Sequence, residues 1–107
     1  MKIIKAAKAG TLESNDILIM VMPNEKSGIE LKIESIVIKQ FGDQIKKVII
    51  DKLNHMEVKD IIIKAQDKGA LDFTIASRVE TAVKRAGQDT VDSLKFIDEK
   101  WELRVNE

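Results

Sequence analysis

The sequence predicts an α+β fold: a small, mostly antiparallel sheet with two helices on one face, in the order β-β-β-α-β-α. Three observations predict it. Asp16–Val21 and Lys59–Ala65 hold runs rich in strand-forming side chains, each bounded by turn residues. Ile29–Glu34 alternates strictly between apolar and charged, the signature of a strand with one wet face. Two longer stretches, 36–55 and 71–86, repeat apolar residues at steps of three and four, as an amphipathic helix does.

In chain order, residues 2–22 read as a β-hairpin. Ile3 to Leu12 is small, apolar or β-tolerant, and Asp16 to Val21 is unbroken strand. Between them, Ser14-Asn15-Asp16 favours a turn, because these side chains bond nearby backbone groups. The hairpin places Ser14 at or beside its tip, with the hydroxyl in water. Lys2, Lys5 and Lys8 are the only charges of the first ten residues. They read as edge-strand lysines that block unwanted pairing, or as cations that face the tip of the hairpin at Ser14.

A loop follows at Pro23–Gly28. The strand at 29–34 is expected to pair antiparallel with 16–22. Ser35 can cap the first helix, whose apolar face runs Val37, Phe41, Ile45, Val48, Ile49, Leu53 and Met56. Gly42 inside it costs up to ~1 kcal/mol against alanine, which points to close backbone packing or a tolerated defect. His55, the only histidine, falls in the last turn and reads as structural. Ile61-Ile62-Ile63 marks a central strand buried on both faces. Asp67-Lys68-Gly69 is a turn. A second helix follows through Leu71, Ile75, Val79, Val83 and Ala86, with Gly87 after it. Leu71–Ile75 also alternates well enough for a strand. Residues 1–87 form the expected main domain, and 88–107 a C-terminal extension, a docking segment or a tail.

Composition excludes several functions. The 107 residues suggest one domain, and 18 Lys plus Arg balance 18 Asp plus Glu, so no global basic field recruits nucleic acid or a membrane. Cysteine is absent, so there are no disulfides and no thiolate metal sites. No apolar run reaches the ~20 residues that span a bilayer, and no secretion signal is evident; a cytoplasmic location is expected. Glycine-rich phosphate cradles, metal-ligand spacings and nucleophile–histidine arrangements are absent. Asp67 and Asp72 read as turn-shaping and helix-opening acids. Arg78 and Glu80, two apart on a helix, do not face each other, although either could bridge a subunit contact.

Three blocks carry a family resemblance. They are Ala9-Gly10-Thr11-Leu12-Glu13-Ser14 before an apolar strand, Lys39-Gln40-Phe41-Gly42-Asp43, and Asp67-Lys68-Gly69-Ala70-Leu71-Asp72, followed by Arg78, Glu80 and Arg85-Ala86. In this order and spacing the chain resembles the acyl carrier (gamma) subunit of citrate lyase over residues 1–87. The resemblance implies that Ser14 carries a covalent phosphoribosyl-dephospho-coenzyme A. It implies a non-catalytic carrier: the cofactor thiol holds acetyl, an alpha (transferase) subunit exchanges it for citryl, and a beta (lyase) subunit releases oxaloacetate. A prosthetic-group transferase and an acetate-ligating activation enzyme are further implied partners. Asn15 stands where some relatives have glycine; both residues tolerate a left-handed turn. Asp92-Ser93-Leu94 mimics the signature of ordinary acyl carrier proteins, but too few residues follow Ser93 to complete that helical domain. An unmodified scaffold subunit, a carrier for a related acid and an independent enzyme are the competing readings.

Overall fold

The computed structural model describes residues 1–88. Its elements are β1 (Lys2–Ile3), β2 (Ala7–Gly10), β3 (Ile17–Met22), β4 (Ile29–Ser35), α1 (Ile38–His55), β5 (Ile61–Asp67), α2 (Asp72–Ala86) and β6 (Gly87–Gln88). The α+β class and the two helices on one face are as the sequence predicts. The Asp92-Ser93-Leu94 motif and the apolar residues of the C-terminal extension lie outside the described residues.

The four-stranded sheet has the order β2-β3-β5-β4. The expected pairing of 29–34 with 16–22 is not formed. β3 pairs antiparallel with β5, and β4 pairs parallel with β5. β3 and β4 therefore run in opposite directions, as expected, but β5 lies between them. The reason is burial. β5 has the apolar row Ile61, Ile63 and Ala65 to place at the centre. The charged row of β4, Glu30, Lys32 and Glu34, suits an edge. A helix-containing crossover through α1 then makes the parallel pair possible.

The expected hairpin is also shorter than 2–22. Only β2 pairs with β3. Lys2 and Ile3 instead pair with Gln88 and Gly87 in a separate two-stranded ribbon. This ties the first residues to the segment just after α2, and Ile4 N and Lys5 N both donate to Ala86 O.

The core lies between the helices and one sheet face. Ile17, Ile19 and Val21 of β3 and Ile61, Ile63 and Ala65 of β5 meet Ile45, Ile49 and Leu53 of α1 and Ile75, Val79 and Val83 of α2. Burying a side chain of this size stabilises by about 1.5–3 kcal/mol. Ile62 points to the opposite face with Leu18, Met20 and Met22, and is only half-buried. β5 is therefore central but not buried on both faces, because both helices occupy the same side. α2 is helical from Asp72, so the strand alternative for Leu71–Ile75 is not formed.

Ser35 does not cap α1, which is preceded by Val37 without a side-chain cap bond. Its hydroxyl accepts from Val37 N at 3.1 Å and donates to Asp67 Oδ2 at 2.8 Å. Phe41, expected on the buried face, is 52% exposed. Gly42 marks no close approach to another element: a Cβ there would meet only Ile38 of the same helix, at 3.1 Å. No described helix is long and apolar enough to cross a membrane.

Candidate functional site

The site is built on one edge of the sheet. Register sets Ile17 opposite Asp67, and Asp67 opposite Ser35. Gly10 pairs with Leu18 in the same region. The β2–β3 turn, the β5–α2 turn and the β4–α1 turn are thus neighbours, and both helices begin here. The three blocks that carry the resemblance, far apart in the chain, meet at this edge.

Ser14 is exposed in the β2–β3 turn, where the sequence places it. The turn around it is fixed. Gly10 has φ 93°, and a Cβ there would lie 1.8 Å from Ile17 O, so only glycine lets the strands close this tightly. Asn15 adopts φ 67°, the left-handed conformation that asparagine tolerates. Asn15 N donates to Lys68 O at 2.8 Å, and Lys68 N to Asp16 O at 2.9 Å, tying the turn to its neighbour. Thr11 Oγ1 donates to Asp16 Oδ2 at 2.7 Å and accepts from Glu13 N at 3.2 Å. None of these bonds involves Ser14, and the residue is exposed.

Asp16 is the anchor that sequence reading missed. Arg78 of α2 reaches it with two parallel bonds, Nε to Oδ1 at 3.0 Å and Nη2 to Oδ2 at 3.1 Å. Partial burial pushes the Asp16 carboxyl up, but bonds from Arg78, Thr11 and Ile17 N outweigh it and hold it at about 2. The forked geometry fixes orientation as well as charge. A helix face thereby grips a turn 62 residues away in sequence. Arg78 thus makes an intramolecular pair. Glu80 likewise stays within the chain, bonding Lys52 at 2.6 Å and Lys84 at 3.2 Å, and those two lysines hold its carboxyl below the usual range.

Asp67 does shape its turn, as its position suggests. It is buried, accepts from Gly69 N at 3.1 Å and Ala70 N at 3.0 Å, and receives the Ser35 hydroxyl. Asp72 opens α2 and accepts from Gln44 at 2.8 Å, joining the starts of the two helices. Lys2 and Lys5 lie at the far end of the molecule beside Ala86, so they do not face Ser14. Lys8 lies on the edge strand β2, where a lysine blocks pairing. His55 is exposed at the end of α1. No group of three or more metal-ligating side chains occurs among the described residues.

A family model described as the malonate decarboxylase delta subunit matches residues 4–86. The citrate lyase acyl carrier protein of Streptococcus mutans is 51% identical over 98 residues, covering 92% of this chain and 96% of that one. The protein of the same name from Halothermothrix orenii is 48% identical over 88 residues, covering 82% and 93%. In fold, the chain is similar to a chain of a Pseudomonas malonate decarboxylase hetero-tetramer solved in complex with malonate. The TM-score is 0.64 at 16% identity, covering 78% of this chain and 84% of that one. With the exposed serine turn, the converging blocks and relatives at this identity, the chain belongs to the family of citrate lyase acyl carrier proteins.

Proposed function

We propose that this chain is the acyl carrier subunit of a citrate lyase, and that Ser14 is the attachment point of a phosphoribosyl-dephospho-coenzyme A group. The observation that carries the reading is an exposed serine on a turn pinned from both sides. The relatives named as citrate lyase acyl carrier proteins support the acid. When bound, the group supplies a terminal thiol on which acetyl and citryl are carried as thioesters between a transferase and a lyase subunit.

The chain's own part is presentation. Ser14 needs no base beside it. In the loading step its oxygen forms an O–P bond to an activated phosphoric anhydride. The anhydride P–O bond breaks, the departing phosphate takes the electron pair, and the serine proton goes to a base of the loading transferase. Bonds to Lys68, Asp16 and Arg78 keep the turn in one geometry, which lowers the ordering cost of docking. Tethering then replaces diffusion, since a carried group meets each active site at an effective concentration set by the arm.

The test is an intact mass with peptide mapping on protein made together with its maturation enzymes. The expected gain is that of the phosphoribosyl-dephospho-coenzyme group; it vanishes in Ser14→Ala and persists in Ser93→Ala. A gain that maps to any other residue ends the reading. A carrier for a related carboxylic acid in place of citrate is the second reading, favoured by the malonate decarboxylase description of the matching family model. Turnover of malonate and not citrate by the reconstituted complex selects it.

A further inference from the structure

Seven large apolar side chains are exposed among the described residues, and six of them surround the edge that carries Ser14: Leu12, Ile36, Ile38, Phe41, Leu71 and Phe73. The seventh, Ile4, lies at the far end beside Ala86. Ile36 is 71% exposed and Phe73 72%, so neither contributes much to the core. The six come from three separate turns and the helix starts that follow them. Hydrogen bonds of Asn15, Lys68, Ser35 and Asp67 hold those turns side by side. A cluster assembled from distant segments and left in water marks a contact surface.

We propose that this apolar crescent is the docking face for the transferase that loads Ser14. The inference rests on Ser14 being the attachment point. Its occupant follows from reach. Subunits that work on the thiol at the far end of the arm act at a distance from the protein. The loading enzyme cannot: its reacting phosphorus must come within about 3–3.5 Å of the Ser14 oxygen. Strands lie ~4.8 Å apart, so the ends of β3, β5 and β4 span about 10 Å. A protein face that closes on Ser14 over that span covers the crescent.

Charge agrees with this occupant. An enzyme that binds a polyphosphate donor presents a cationic centre. The turn that bears Ser14 has no lysine or arginine of its own and has the exposed acid Glu13 beside it; of the bases at this edge, Arg78 is paired with Asp16, while Lys68 and Lys39 stand on the neighbouring turn and helix start. The partner is therefore a protein with an apolar surface beside an anion-binding centre.

The experiment compares loading of full-length wild type, a Phe41→Gln/Phe73→Gln double variant, and Ile4→Gln as the far-end control. The probes are the purified transferase and its anhydride donor, and initial rates are read by intact mass. The double variant should keep its melting temperature and lose at least tenfold in kcat/KM, chiefly through a raised KM for the carrier. Ile4→Gln should load as wild type does. Should the double variant fail to fold, Ile36→Gln alone carries the same expectation. Wild-type rates in the crescent variants overturn the proposal, as does an equal loss in Ile4→Gln. Normal loading with lost assembly onto the lyase subunits also overturns it and assigns the crescent to them. Wild-type protein that gains no mass at Ser14 instead refutes the attachment reading beneath it.

Discussion

At the end of the sheet that carries Ser14, Asp67 and the Asp16–Arg78 pair lace three turns together, and six large apolar side chains stand in water around them. At the other end, buried Asn24 plays the part of Asp67. Its side chain donates to Gly28 O at 2.9 Å and accepts from Lys26 N, while Gly28 N donates to Asp60 at 2.7 Å. The surface there is an open cleft lined by Met1, Pro23, Asn54 and Lys59, with Ile4 the one exposed large apolar residue among the described residues. Both ends are pinned by polar side chains, because a turn that leaves a sheet must satisfy its backbone groups. Pinning is thus a requirement of folding. The exposed apolar crescent is not, and it distinguishes the end that carries Ser14.

Substitutions at matched positions of the two ends should behave differently. Gly10 and Gly28 both have φ near 90°, but a Cβ at Gly10 meets Ile17 O whereas one at Gly28 meets nothing within 4 Å. Gly10→Ala should therefore cost about 2–4 kcal/mol in chemical denaturation, and Gly28→Ala only about 1 kcal/mol of backbone strain. Equal losses would show that the tight β2–β3 approach does not matter. Next come the two buried pins. Asp67→Ala and Asn24→Ala should each cost about 2–3 kcal/mol by leaving backbone groups unpaired. Only Asp67→Ala should also slow loading of Ser14; a matching defect in Asn24→Ala would erase the distinction between the ends.

The smallest effect belongs to Arg78→Gln, which removes a half-exposed pair and should cost about 1 kcal/mol at neutral pH. Its signature is the pH dependence. Asp16 has a folded value of about 2, below its unfolded value. Its contribution is present above the ordinary carboxylate range near 4 and is lost as pH falls through about 2. The gap in stability between wild type and Arg78→Gln should therefore close over that interval. Carboxyl titration by NMR should find Asp16 moved up toward 3.8 in the variant. An unmoved Asp16 would mean that Thr11 and the backbone hold the turn without the helix.

Local pattern carried much of this fold. Turn chemistry at Ser14-Asn15-Asp16 and helical spacing through Ile45, Ile49 and Leu53 depend on near neighbours, so they could be read directly. Partner choice could not. Nothing in Ile29–Glu34 says that β5, which follows an 18-residue helix, will insert beside it. Phe41 fits the apolar spacing of α1, yet it stays half in water. A signal for the crescent was present: Ile36 and Ile38 flank Val37, and Leu71 and Phe73 flank Asp72, more apolar residues than one helix start can bury.

By itself, the sequence determined the element types, the serine at a bend and the family, because composition, periodicity and motif spacing are local properties of a chain. Tertiary structure alone decided three things: β5 at the centre of the sheet, Arg78 gripping Asp16, and the gathering of three distant turns around Ser14. Each depends on which buried faces cover one another, a choice made by the whole core at once and written in no single segment.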